Sequence, residues 1–308
     1  MKTNNQNNSN GFVLLGFSEY PLLQIPLFCI FLLIYLLSLQ GNFLILIVTY
    51  HASLLHIPMY FFLCNLSFID ILTSSISQPK LLCMLLIGPY TISFNECILQ
   101  LYFFLSLVCA EFVLLTIMAY DRYVAICNPL RYLILMNRRV CVLLVITCWI
   151  FGFAEPLSYT LLTSKLQFCR SHTIDHYFCD PSILLKLSYT DTSFLEIMTF
   201  ILGSLVGIPA FTIIVASYAY IISTVLNIPS SVGRKKAFST CSSHLIVIIL
   251  YYGGTLITYM RPSSQYATSL SKPFSILYTA LIPSVNPFIY TLRNEDFKQY
   301  LVKIAKNN

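Results

Sequence analysis

Residues 97–123 read CILQLYFFLSLVCAEFVLLTIMAYDRY, and this stretch decides the fold. Before Asp121 its only charged residue is Glu111. From Cys97 to Arg122 is twenty-five residues, or roughly 37 Å of helix at about 1.5 Å per residue. That length crosses the ~30 Å hydrocarbon of a bilayer. Cys97 then lies at one membrane surface, and Asp121-Arg122-Tyr123 forms a charged triplet at the other. Working outward from this span, here taken as 97–120, six more stretches reach the same length: 25–50, 57–86, 140–162, 195–226, 237–259 and 273–292. The expectation is an all-α membrane protein, a seven-helix transmembrane bundle.

The composition agrees. Hydrophobic residues make up 57% of 308 positions and charged residues 10%. A soluble protein carries about 25% charged residues, so this chain has too few to cover a surface facing water. The outside of the bundle is expected to contact membrane lipid. The net charge of +6 follows from topology rather than from a nucleic-acid partner. Arg131, Arg138 and Arg139, then Arg234 to Lys236, then Arg293, Lys298, Lys303 and Lys306 cluster at segment ends, as cytoplasmic connections do. Seven spans put the termini on opposite sides, so the N-terminus is expected outside and the C-terminus in the cytoplasm of a plasma-membrane protein.

This divides the chain into an extracellular segment 1–24, a transmembrane domain 25–292 and a cytoplasmic tail 293–308. Met1 to Asn10 is polar and does not read as a cleavable signal peptide. Asn7-Asn8-Ser9 is a glycosylation sequon on the lumenal side, whereas Asn65-Leu66-Ser67 falls within a span. In the tail, Asn294 can cap a short amphipathic interfacial helix with Phe297, Leu301 and Ile304 on one face. Most of the eleven Cys residues lie in apolar runs and read as small buried hydrophobes. Cys97, Cys169 and Cys179 lie at the outer ends.

An ionisable side chain in hydrocarbon costs about 2.5–3.5 kcal/mol on insertion scales and marks function by default. Asp70 and Glu111 lie mid-span, with Asn42 and Asn286 at comparable depth. Two readings stand side by side: hydrogen-bonded glue between helices, and a sodium-like ion held between the two carboxylates.

The motifs at the span ends resemble those of rhodopsin-like G-protein-coupled receptors and, within them, vertebrate odorant receptors. The resemblance covers nearly the whole chain. It is carried by Leu55-His56-Ile57-Pro58-Met59-Tyr60 opening the second span and by Met118-Ala119-Tyr120-Asp121-Arg122-Tyr123-Val124-Ala125-Ile126-Cys127 closing the third, followed by Asn128-Pro129-Leu130-Arg131-Tyr132. Ser217-Tyr218 ends the fifth, and Lys236-Ala237-Phe238-Ser239-Thr240-Cys241-Ser242-Ser243-His244-Leu245 opens the sixth. Pro283 and Asn286-Pro287-Phe288-Ile289-Tyr290 close the seventh. Pro209, Pro283 and Pro287 also allow bends on physical grounds, by freeing backbone carbonyls within spans.

The resemblance implies that Asp121 holds Arg122 at rest. An agonist frees Arg122 to meet a G-protein tail beside Tyr218 and Tyr290, and the G protein implied is the stimulatory, olfactory type that raises cyclic AMP. Arg138, Arg139 and Arg234 to Lys236 frame that face or serve topology alone. The resemblance also implies a Cys97–Cys179 disulfide. A second loop disulfide usual in the family has no counterpart, because Tyr189 stands where the partner of Cys169 would be. His176-Tyr177-Phe178-Cys179-Asp180 fits a metal-binding pattern proposed for the family, but a disulfide-bonded Cys179 cannot ligate as a thiolate.

The implied ligand cavity lies among spans 3, 5, 6 and 7. Its candidate lining is Phe104, Leu105, Val108 and Cys109; Leu202, Gly203 and Val206; Tyr252, Thr255 and Tyr259; and Ile276 and Thr279. By spacing alone, any of these serves equally as helix packing. Phe104 stands where amine receptors place an acid, and Ala280 where opsins place a Lys. The expected ligand is therefore a small, neutral, volatile odorant, with no cofactor. A secondary transporter would show internal repeats or paired broken helices, and an intramembrane hydrolase would show a nucleophile elbow or a His-Glu metal motif. The sequence contains none of these.

Overall fold

The computed structural model describes residues 11–51, 54–168, 172–259, 268–292 and 297. Seven helical spans follow one another: α1 (Gln24–His51), α2 (Pro58–Ile87), α3 (Phe94–Cys127), α4 (Arg138–Thr163), α5 (Ser193–Leu226), α6 (Ser231–Tyr259) and α7. The last consists of Thr268–Ile276, a wide π-type turn at Leu277–Leu281, and Ile282–Leu292. Among the described residues, α1 to α5 are each long and apolar enough to cross a membrane, and α6 adds an apolar run at His244–Thr255. The helix limits lie within two residues of those read from sequence for α1, α2, α4 and α5, whereas α3 runs two turns further inward to Cys127, α6 starts six residues earlier at Ser231 and α7 five earlier at Thr268.

α3 is the central post. It begins with a capping box, in which Ser93 Oγ accepts from the Glu96 amide at 3.3 Å and the Glu96 carboxylate accepts from the Ser93 amide at 3.1 Å. Within hydrocarbon, helices associate through close backbone approach rather than through a hydrophobic drive. Gly152 of α4 meets Ala110 of α3 so closely that a β-carbon there would fall 2.8 Å from the Ala110 methyl. The Cys148 thiol donates to the Ala110 carbonyl at 3.1 Å across the same contact. Gly41 of α1 does the same for Pro287 of α7, with 2.7 Å left for a β-carbon. The π-turn of α7 lies just before Pro283, whose missing N–H leaves a carbonyl one turn back without its partner. That carbonyl register is where α7 loosens.

The outer end carries a feature unexpected from the sequence, a three-stranded sheet. β1 (Phe12–Leu14) pairs antiparallel with β2 (Tyr90–Ile92) and parallel with β3 (Thr173–Ile174), in the order β2-β1-β3. It joins the N-terminal segment to the connection before α3 and to the long loop before α5. Gly11 precedes it because a β-carbon there would collide with the Ile92 carbonyl. Of the tail expected to form an interfacial helix, only Phe297 is described; it is helical and buried, with its ring 6.4 Å from that of Tyr60.

Candidate functional site

The outer half of the bundle is closed by the loop that carries β3. Cys179 is disulfide-bonded to Cys97 at the top of α3, so its sulfur is not a thiolate ligand. His176, Tyr177, Phe178 and Cys179 are all buried. The loop therefore enters the bundle instead of lying across it. Phe178 packs on Phe104, centroid to centroid at 4.9 Å, and Phe104 meets Tyr278 at 5.9 Å. The Tyr177 and Thr279 hydroxyls are 2.8 Å apart, and the Cys179 amide donates to Gln100 Oε1 at 3.2 Å. Lys272 of α7 pairs with Asp175 of the loop, while Glu19 of the N-terminal segment lies 4.0 Å from the same ammonium. Burial, together with the Lys272 charge, holds His176 neutral by pushing its pKa down to about 3.

The residues read as pocket lining divide in two. Phe104, Val108, Tyr252, Thr255 and Thr279 are buried, while Leu105, Cys109, Leu202, Gly203, Val206 and Ile276 are half-buried. Several polar groups among them already have partners. The Tyr252 hydroxyl lies 2.9 Å from that of Thr116 and donates to the Phe112 carbonyl at 3.1 Å. The Thr255 hydroxyl donates to the Tyr251 carbonyl at 2.7 Å within its own helix. The Val108 carbonyl accepts from Tyr251 at 3.1 Å. The Cys109 thiol donates to Glu155 of α4 at 3.0 Å. The Tyr259 side chain, Asn7 and Cys169 lie outside the described residues.

At mid-depth the polar residues meet as one cluster. Asn286 Nδ2 donates to both carboxylate oxygens of Asp70, at 3.0 and 3.3 Å. Asn42 Nδ2 donates to the Pro283 carbonyl at 2.9 Å, tying α1 to the loosened part of α7. Glu111 is fully buried, within electrostatic reach of Asp70 and near the Tyr251 hydroxyl. Glu111 Oε1, Asn42 Oδ1 and Asn286 Oδ1 are buried without a hydrogen-bond partner. All three are acceptor oxygens, the ligand type that hard cations take.

At the inner end, Arg122 Nη2 and Nε donate to Asp121 Oδ2 at 2.7 and 3.2 Å. Asp121 Oδ1 accepts a third bond, from the Tyr132 hydroxyl at 2.8 Å. Tyr132 sits on the short helix Tyr132–Leu135 that follows α3. Across the bundle, Tyr218 Oη lies 2.8 Å from His244 Nδ1, and the His244 ring lies 6.3 Å from that of Tyr290. Arg122 is within electrostatic range of Tyr218, His244 and Tyr290. Tyr123, the third member of the triplet, points away from this group, with its ring 5.8 Å from Tyr220. His244 Nε2 and Tyr290 Oη are buried and unpartnered. Sequence reasoning quoted Tyr132 and His244 within motifs without giving either a role, because their partners are distant in the chain. It overlooked Glu155, although an acid inside the 140–162 apolar run was a visible signal.

A family model described as "Olfactory receptor" matches residues 31–308. Human olfactory receptor 6C1 is 46% identical over 295 residues, which are 96% of this chain and 95% of that one. Human olfactory receptor 6Y1 is 46% identical over 303 residues, 98% and 93% of the two chains. Gorilla olfactory receptor 1G1 is 45% identical over 304 residues, 99% and 97% of the two.

Proposed function

The chain belongs to the olfactory receptor family, and from that premise we propose how this odorant-sensing G-protein-coupled receptor passes a signal from its outer pocket to its inner face. A small, volatile odorant enters among α3, α5, α6 and α7 beneath the Cys97–Cys179 loop. The coupled partner is a heterotrimeric G protein of the stimulatory, olfactory type, and the readout is cyclic AMP. The N-terminus, with a glycan on Asn7, faces outward, and the C-terminus faces the cytoplasm.

The observation that carries the inner half of this reading is the pair of separate latches. Asp121, itself held by Tyr132, occupies Arg122 on one side, and His244 occupies Tyr218 on the other. Each latch consists of side-chain hydrogen bonds, Asp121–Arg122 within α3 with Tyr132 tying Asp121 to the next segment, and Tyr218–His244 between α5 and α6, so each can break without unfolding a helix. Outward movement of the inner end of α6 carries His244 away from Tyr218 and opens a cleft onto Arg122. Odorant binding drives that change only through its higher affinity for the open form. Between the two ends, Asp70, Glu111 and Asn286 supply acceptor oxygens that suit a sodium-like cation in the closed form. Asn286, Pro287 and Tyr290 then link that cluster to the latch.

The test is cyclic AMP in cells expressing the chain and challenged with a panel of volatile compounds. The expected result is a response to a subset of the panel that Arg122→Ala abolishes while surface staining is unchanged. A response that survives Arg122→Ala at full size would overturn the reading.

A further inference from the structure

Spanning helices seldom hold an acid without a cation to neutralise it, yet α4 carries Glu155 beside Pro156. Glu155 is half-buried, and its carboxylate accepts a hydrogen bond from the Cys109 thiol of α3 at 3.0 Å. Among the described residues no Lys, Arg or His forms an ion pair with it. A thiol is a weak donor, so this carboxylate is held loosely for its depth.

Its direction follows from the helix. Cys148, Gly152, Pro156 and Tyr159 form the buried stripe of α4. Trp149 and Glu155 lie about 60° to opposite sides of that stripe at 3.6 residues per turn. Trp149 reaches Asn65 of α2, its indole N–H donating at 3.1 Å, so Glu155 is on the flank turned toward α5. On α5, the buried stripe Ala210, Ile214 and Tyr218 continues outward to Gly207. A β-carbon at Gly207 would meet no atom within 4 Å. That glycine leaves room along the buried stripe of α5, the helix toward which the Glu155 flank turns.

We propose that Glu155, with Cys109 as its displaceable partner, is the polar end of the ligand pocket and selects small apolar ligands bearing a protonated amine. The claim rests on the receptor reading above and narrows its ligand class, since the neutral odorant was expected from Phe104 and Ala280 without weighing the acid on α4. A charge-assisted ammonium–carboxylate bond replaces the thiol contact when such a ligand binds, and the thiol returns when it leaves.

Purified full-length receptor is tested by thermal unfolding with matched pairs, hexylamine against hexanol and octylamine against octanol. Cyclic AMP is measured in parallel in cells. The amines are expected to raise the melting temperature at concentrations about tenfold or more below those of the alcohols, a factor that corresponds to one charge-assisted contact. Glu155→Gln should reduce that preference to about twofold or less, and Glu155→Asp should retain it. If Glu155→Gln does not yield folded receptor, the wild-type amine–alcohol comparison and Glu155→Asp decide the matter. An amine preference that persists in Glu155→Gln, a preference for alcohols in the wild type, or no amine effect at all would overturn the proposal. A melting shift without any cyclic AMP response would count against the receptor reading and leave the site standing.

Discussion

The two ends of the bundle are held by different kinds of bond. At the outer end, the Cys97–Cys179 disulfide, a sheet that joins three distant segments, and the Lys272–Asp175 pair converge on one loop. At the inner end, the cross-segment ties among the described residues include side-chain hydrogen bonds from Tyr132 to Asp121, from Tyr218 to His244 and the Cys241 carbonyl, and between Cys127 and Thr224 at 3.2 Å. His244 and Tyr290 each bury a polar atom without a partner there. The outer end is thus overdetermined and the inner end underdetermined. A switch needs this asymmetry, because a packed element changes state only where two arrangements differ little in free energy.

The contrast can be broken at several points, and the largest effect is expected from the covalent tie. Cys179→Ser frees a loop closed across 82 residues of sequence and should cost about 2–5 kcal/mol. Surface immunostaining is expected to fall to background, and normal surface levels would show that the sheet alone holds the loop. The next effect comes from acid. His176 titrates near 6.5 when the loop is unfolded and at about 3 when buried. The unfolded loop therefore binds more protons as pH falls, and stability that is fully present above about 6.5 declines by up to ~1.4 kcal/mol per pH unit below it. Thermal unfolding of purified receptor at pH 7 and pH 5 should differ by roughly 2 kcal/mol, and His176→Phe should flatten the dependence.

Smaller effects sharpen the inner half. Tyr218→Phe removes a hydrogen bond of about 1 kcal/mol and leaves His244 Nδ1 without a partner. Surface level should hold while the maximal odorant response drops several-fold in a cyclic AMP assay. A loss of expression instead would mean that this contact serves the fold. Lys272→Gln should cost about 1 kcal/mol or less, since Asp175 and Glu19 are both solvent-accessible. A slightly lower melting temperature with signalling intact is expected.

Sequence alone carried the spans, because period, length and charge are local properties. It also carried Asp121 and Arg122, which are neighbours in the chain, and the mid-depth acids, because a charge among apolar residues is conspicuous. The sheet was not legible. Phe12-Val13-Leu14 is too short to read as a strand, and its pairing with 90–92 and 173–174 depends on how the loops fold back. The partners Tyr132 and His244 were hidden for the same reason, each meeting its counterpart across a gap that no spacing rule covers. Glu155 was legible and went unread, while Thr255 and Tyr252, read as candidate pocket lining or helix packing, have hydroxyls engaged within the bundle.

The central claim is that Asp121 restrains Arg122 and that its release permits signalling. Basal cyclic AMP in cells expressing Asp121→Asn, matched to wild type by surface staining, tests it most directly. The account predicts ligand-independent cyclic AMP raised several-fold, with the further rise on odorant addition correspondingly smaller. Basal signalling at the wild-type level, with an undiminished odorant response, would contradict it.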